Sequence, residues 1–201
     1  MMNDDFSPPR NFPLMAGVFE GSLVLVAAGL GWLLDRNPAE SLAWSPVDLA
    51  WGGLAVLPLL AMLGLCLRYP VGPLRDLVRV VDEMLVPMFR GCGVLEMAAI
   101  SILAGLGEEM LFRGIIQQTT AGLAPGRLGV GIGLLVAAVL FAMAHRITTA
   151  YAVLAGLIGL YLGLIWLASG NLLVPVTTHA VYDFVVMLYL IKIRTPSTAA
   201  S

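Results

Sequence analysis

The sequence predicts an all-α, polytopic membrane helix bundle of about six transmembrane helices, with one amphipathic helix on its cytoplasmic side. Three observations predict it. Of the 201 residues, 59% are hydrophobic and only 12% are charged, where soluble domains carry about 25% charge, and the mean hydropathy is +0.92. Apolar runs of about 20 residues, enough to cross a ~30 Å hydrocarbon core, recur along the chain. The gaps between them are short and rich in Pro, Gly or charge, as in RNPAE, RYPVGP and GLAPGR. No stretch could hold a separate soluble domain and no internal repeat is visible, so residues 1–201 read as a single integral membrane domain.

The opening MMNDDFSPPRNFP is polar, acidic and proline-containing. It lacks the basic region and small-residue cleavage site of a secretory signal, so the first apolar run is expected to stay in the membrane. That run covers 14–34, and a second covers 48–67. Residues 74–90 differ: Leu74, Leu77, Val78, Val81, Leu85 and Met88 recur at helical spacing, with Arg75, Asp76, Arg79, Asp82 and Glu83 opposite. Two placements suit this amphipathic helix, flat on the membrane surface or packed as a cap on the bundle. Four further spans are expected at 93–119, 129–146, 149–168 and 171–192. Cys66 and Cys92 match no zinc or disulfide framework and are expected to be buried thiols.

Orientation follows from the placement of Lys and Arg. With six spans, the side that holds the termini receives Arg10, Arg68, Arg75, Arg79, Arg90, Arg146, Lys192 and Arg194, and the other side only Arg36 and Arg127. Eight against two puts both termini in the cytoplasm. The expected location is a bacterial inner membrane. The net charge of −2 and the lack of any basic run exclude nucleic acid as a partner.

The polar residues inside spans carry the functional signal, because such groups are costly in a bilayer and usually face the bundle interior. In GEEMLFRG, Arg113 lies four residues after Glu109, one turn along the same helix face. Those two are expected to brace each other. Glu108 is rotated by about 100° and has no partner at that spacing. The two histidines of the chain both lie in apolar sequence. His145 follows Phe141 by one turn, and His179 precedes Asp183 by one turn. A rise of ~1.5 Å per residue puts Glu108, His145 and His179 at depths of about 18, 25 and 12 Å from the non-cytoplasmic ends of their spans, compatible with one cluster. Glu20 and Glu96 fall nearer the cytoplasmic ends and read as snorkelling or helix-packing groups.

A carboxylate and two imidazoles with Asp183 alongside can do water chemistry by two routes. Glu108, His145, His179 and Asp183 could ligate a metal, zinc being the natural choice with three N/O ligands and a water. Alternatively, Glu108 with His145 acts as general base on water, and His179 with Asp183 binds the oxyanion or orients the substrate.

These residues resemble the three motifs, EExxxR, FxxxH and HxxxN/D, of the CAAX protease and bacteriocin-processing family, also called CPBP or Abi. Here they stand as Glu108-Glu109-Met-Leu-Phe-Arg113, Phe141-Ala-Met-Ala-His145 and His179-Ala-Val-Tyr-Asp183, within a core of about residues 93–190. The resemblance implies an α-helical intramembrane endopeptidase acting on a membrane-associated peptide or protein. Family members cleave prenylated CAAX termini in eukaryotes, and others are linked to bacteriocin immunity or processing. It further implies that Glu108 activates water with His145, that His179 and residue 183 help to bind the transition state, and that Glu109, Arg113 and Phe141 support the site. Both metallo and metal-free glutamate mechanisms are argued for the family. One position departs from it: Asp183 stands where Asn is most common. An ionised carboxylate donates no hydrogen bond, so Asp183 is protonated, orients His179, or ligates a metal.

Other intramembrane protease chemistries are absent from the sequence: there is no HExxH, no GxSG serine and no GxGD partner for Asp183. Two non-protease readings stand beside it. One is a non-catalytic scaffold of the same fold. The other is a proton-coupled transporter using Glu20, Glu96, Glu108 and the histidines, although no repeated halves support it.

Overall fold

The computed structural model describes residues 11–193; Arg10 and Arg194, used above to orient the chain, lie outside them. The described residues form helices without strands. They are α1 (Phe12–Leu33), α2 (Pro46–Leu54), α3 (Leu57–Arg68), α4 (Pro73–Phe89), α5 (Val94–Ala121), α6 (Gly126–Ala144), α7 (Thr149–Ser169) and α8 (Leu173–Ile193). Five stretches are long and apolar enough to cross a membrane: α1, α2 with α3 as one 23-residue stretch, α6, α7 and α8. The α4–α5 pair, bent by 113°, makes up to a sixth. The protein is a polytopic membrane bundle.

Each departure from a smooth span has a local cause. The 48–67 run divides because Pro58 has no N–H to give the carbonyl of Leu54, four residues back. Tyr161 of α7 donates to the carbonyl of Ala55 at 2.8 Å and fixes the break. Helix α5 carries Glu96, Glu108, Glu109 and Arg113, and so is the least apolar of the long helices. Glu96 is exposed in the first turn of α5, and its carboxylate accepts from the backbone N–H of Gly93 at 2.7 Å and caps that turn. Large apolar side chains such as Phe19, Leu25, Leu95, Ile102 and Val153 point outward, as expected where the surroundings are lipid rather than water.

Helix α4 is the amphipathic segment, and its apolar face is packed on the bundle. Leu77, Val81 and Val86 are buried against Leu190, with Tyr151, Leu154 and Val186 around them. Arg75, Asp76, Arg79 and Glu83 are exposed, and Arg79 pairs with Asp76. Of the two placements the sequence allowed, this is the cap. A π-helical turn at Val81–Leu85 advances the register, so that Val86 rather than Leu85 is the buried residue at that end.

Two glycines of α5 set how closely its neighbours approach. A Cβ on Gly105 would lie 2.9 Å from the carbonyl oxygen of Val176 and 3.0 Å from the Cβ of Ala180, both on α8. A Cβ on Gly107 would lie 2.7 Å from the carbonyl oxygen of Glu20 and 3.0 Å from the Cβ of Leu23, both on α1. Side chains essentially never come that close, so the two glycines let α8 and α1 seat directly against the backbone of α5, on either side of Glu108.

Candidate active site

The site is built on the middle of α5. Glu108 and Glu109 end its regular α-helical part, and Met110–Gln117 continues as a π-helical stretch. Nothing in the sequence signalled that stretch, because one extra residue per turn leaves no mark on an apolar pattern. It does not disturb the Glu109–Arg113 pair: Arg113 Nη1 donates to Glu109 Oε1 at 3.0 Å, with both side chains wholly buried. Arg113 Nη2 also donates to the carbonyl of Gly159 on α7.

Glu109 does more than neutralise Arg113. His179 of α8 lies with Nδ1 at 2.9 Å from Glu109 Oε1. Since the carboxylate only accepts, that nitrogen is the donor. The other ring nitrogen, Nε2, faces Asp183 Oδ2 at 3.5 Å, one turn further along α8. His179 is therefore held between two carboxylates, one deeply buried and one a third exposed. The sequence paired His179 with Asp183 but missed Glu109, whose second partner lies 70 residues away.

Glu108 meets the other histidine. Its Oε2 lies 3.7 Å from His145 Nε2, beyond direct hydrogen-bond range. His145 closes α6 as its C-terminal cap, and its Nδ1 lies 2.9 Å from the carbonyl oxygen of Phe141. A carbonyl only accepts, so Nδ1 carries the proton and Nε2 presents its lone pair toward Glu108. No hydrogen bond reaches Glu108 Oε2 from any described residue, although it is buried. Two acceptors face each other across a gap that one water would span.

Phe141 is the platform beneath these groups. The His145 ring stacks on it at 4.4 Å, the His179 ring meets it edge-on at 6.0 Å, and the Arg113 guanidinium lies 5.2 Å over its face. Phe112 supports it edge-on at 4.9 Å. A Cβ on Gly159 would come within 3.1 Å of the Phe141 ring, so the absence of a side chain there makes room for it.

Glu108, His145, His179 and Asp183 line one cavity of about 380 Å³ under α4, with apolar walls from α3, α4 and α8. Two expectations are corrected here. Glu20 lines this cavity rather than snorkelling or packing between helices, and Cys66 lines it while only partly buried; Cys92 is buried as expected.

Among the described residues, no group of three or more His, Cys, Asp or Glu side chains is arranged to hold a metal ion. The donor chemistry gives the reason. His179 turns both ring nitrogens to carboxylates, and the free lone pair of His145 leaves Glu108 and one imidazole as the only adjacent pair. As arranged, the four residues do not fit a zinc centre.

Residues 91–185 match the family model described as type II CAAX prenyl endopeptidase, Rce1-like. That stretch carries all three motifs and omits α1 to α4. No curated protein and no solved structure matches the chain.

Proposed function

We propose, from the match of residues 91–185 to the family model of Rce1-like type II CAAX prenyl endopeptidases, that this protein is an intramembrane peptidase in which Glu108 and His145 activate water. The observation that carries the reading is the 3.7 Å approach of Glu108 Oε2 to His145 Nε2. A water lying beside that gap donates one hydrogen to each acceptor and turns its lone pair outward, toward a peptide carbonyl in the cavity.

The steps then follow from what each group can accept or donate. The water oxygen attacks the carbonyl carbon while Glu108 takes one of its protons. The oxyanion that forms is met by the Nε2–H of His179, which lines the cavity beside Glu108. Glu109 accepts from Nδ1 and fixes the ring, and Asp183 flanks Nε2 without blocking it, at 3.5 Å. Glu108 passes its proton to the leaving nitrogen, and the C–N bond breaks to give a carboxylic acid and an amine. Arg113 and Phe141 hold this arrangement and touch no reacting atom. No step runs through a metal, because the residues present do not fit one.

The substrate is a membrane-associated peptide or protein whose cleaved segment enters beneath α4 from the bilayer side. The positive charges of Arg68, Arg75, Arg79, Arg90 and Arg146 favour the cytoplasmic side of a bacterial inner membrane for that end of the bundle and for the termini. The test is cleavage of a prenylated CAAX peptide by the purified protein, with Glu108→Gln beside it. Cleavage by the first and not the second is expected; equal cleavage by both would end the assignment.

A further inference from the structure

Glu20 is the carboxylate of the cavity that the mechanism leaves unused. It lies on α1, outside the family match, and its Oε2 is buried without a hydrogen-bond partner. Glu108 Oε2 and Glu109 Oε2 are buried without a hydrogen bond as well, but those two side chains and Asp183 each face a nitrogen: Glu109 faces Arg113 and His179, Asp183 faces His179, and Glu108 faces His145. The placement of Glu20 is not loose. Its backbone carbonyl rests on Gly107, the residue before Glu108, so closely that no Cβ would fit between them. Gly17 and Gly21 flank it and seat against Leu103. Helix α1 is thus clamped to α5 at the depth of the Glu108–His145 pair, with the Glu20 carboxylate turned into the same cavity.

A carboxylate oxygen buried without a partner opposes folding, and a leucine at this half-buried position would pack on the apolar walls at no such cost. A ligand that supplies the missing donor accounts for it. A peptide crossing the cavity in extended form has backbone N–H groups that lose water on entry, and these need acceptors. With Glu108 committed to water and Asp183 and Glu109 to His179, Glu20 is the carboxylate left to accept, a stronger acceptor than the Tyr151 and Tyr182 hydroxyls that also line the cavity.

We propose that Glu20 is a substrate-binding residue: its carboxylate accepts a hydrogen bond from a backbone N–H of the peptide lying across Glu108. This rests on the peptidase reading, so its test is separated from catalysis. A fluorescent prenylated CAAX peptide is titrated into the full-length, detergent-purified Glu108→Gln protein, with and without Glu20→Leu, and binding is read by anisotropy.

The expected result is a Kd about tenfold higher with Glu20→Leu, the loss of one hydrogen bond to a charged group. Glu20→Gln, which keeps an acceptor oxygen, should lose less. The melting temperature of Glu20→Leu should not fall, since an unpaired carboxylate has been removed. An unchanged Kd overturns the proposal and leaves the peptidase reading standing. Peptide that binds with the expected Glu20 dependence but is never cut by the wild type upholds the proposal and overturns the peptidase reading. A lower melting temperature with unchanged Kd makes Glu20 a packing group, and peptide that binds neither protein overturns the proposal outright.

Discussion

His179 Nδ1 and Arg113 Nη1 both donate to a single oxygen, Glu109 Oε1, at 2.9 and 3.0 Å. One buried carboxylate thereby joins α8 to α5, and Arg113 carries the link on to α7 through the carbonyl of Gly159. The two adjacent glutamates of α5 consequently differ in kind: Glu109 holds a guanidinium and an imidazole N–H on one oxygen, and Glu108 faces the cavity, where its Oε2 receives no hydrogen bond.

Replacing Glu109 should therefore unfold the site, because Arg113 would stay buried without its counter-charge. Breaking one side of a buried pair costs about 3–5 kcal/mol. We expect Glu109→Leu to lower the melting temperature of the purified protein sharply, by several degrees or more, and to abolish cleavage as a consequence. A variant with wild-type stability would mean that Arg113 and His179 find other partners.

Glu108→Gln should separate chemistry from stability. It removes the base and no salt bridge, so cleavage should fall by about 10²–10⁴ while the melting temperature holds. Any cellular effect of the protein that survives Glu108→Gln would favour the scaffold reading over the peptidase.

Asp183→Asn should be tolerated. An amide oxygen can flank His179 Nε2 as a carboxylate oxygen does, and at 3.5 Å the present contact is long. A loss of less than about tenfold in kcat is expected, with a larger loss in Asp183→Ala, where Glu109 alone remains to orient the ring. An Asn variant as inactive as the Ala variant would show that the carboxylate charge itself is required.

Cys66 offers a direct probe of the cavity. It lines the cavity and is partly buried, whereas Cys92 is buried. Maleimide treatment should block peptide cleavage in the wild type and leave Cys66→Ala active. Inhibition that persists in Cys66→Ala would move the entry route elsewhere.

Chelation should not reduce activity. With both nitrogens of His179 engaged, treatment with 1,10-phenanthroline is expected to leave cleavage intact. Loss of activity restored by added zinc would require His179 to release one of its carboxylates and the site to rearrange.

The sequence alone determined what is local along the chain. Apolar runs of spanning length gave the helices to within a few residues, since length and hydropathy are all that a bilayer selects on. The Glu109–Arg113 pair was legible because one helical turn fixes its geometry before any other helix arrives. The cap helix was legible as a two-faced pattern, but its placement was not, because lipid and a neighbouring helix satisfy the same apolar face. The tertiary structure alone decided the long-range meetings. Glu109 with His179, Glu108 with His145, and Glu20 in their cavity depend on how closely α8, α6 and α1 pack around α5. For α8 and α1 that closeness is set by Gly105 and Gly107, and for α6 by Gly133 against the carbonyl oxygen of Gln117; their missing side chains could be read in the sequence only as more small residues in apolar runs.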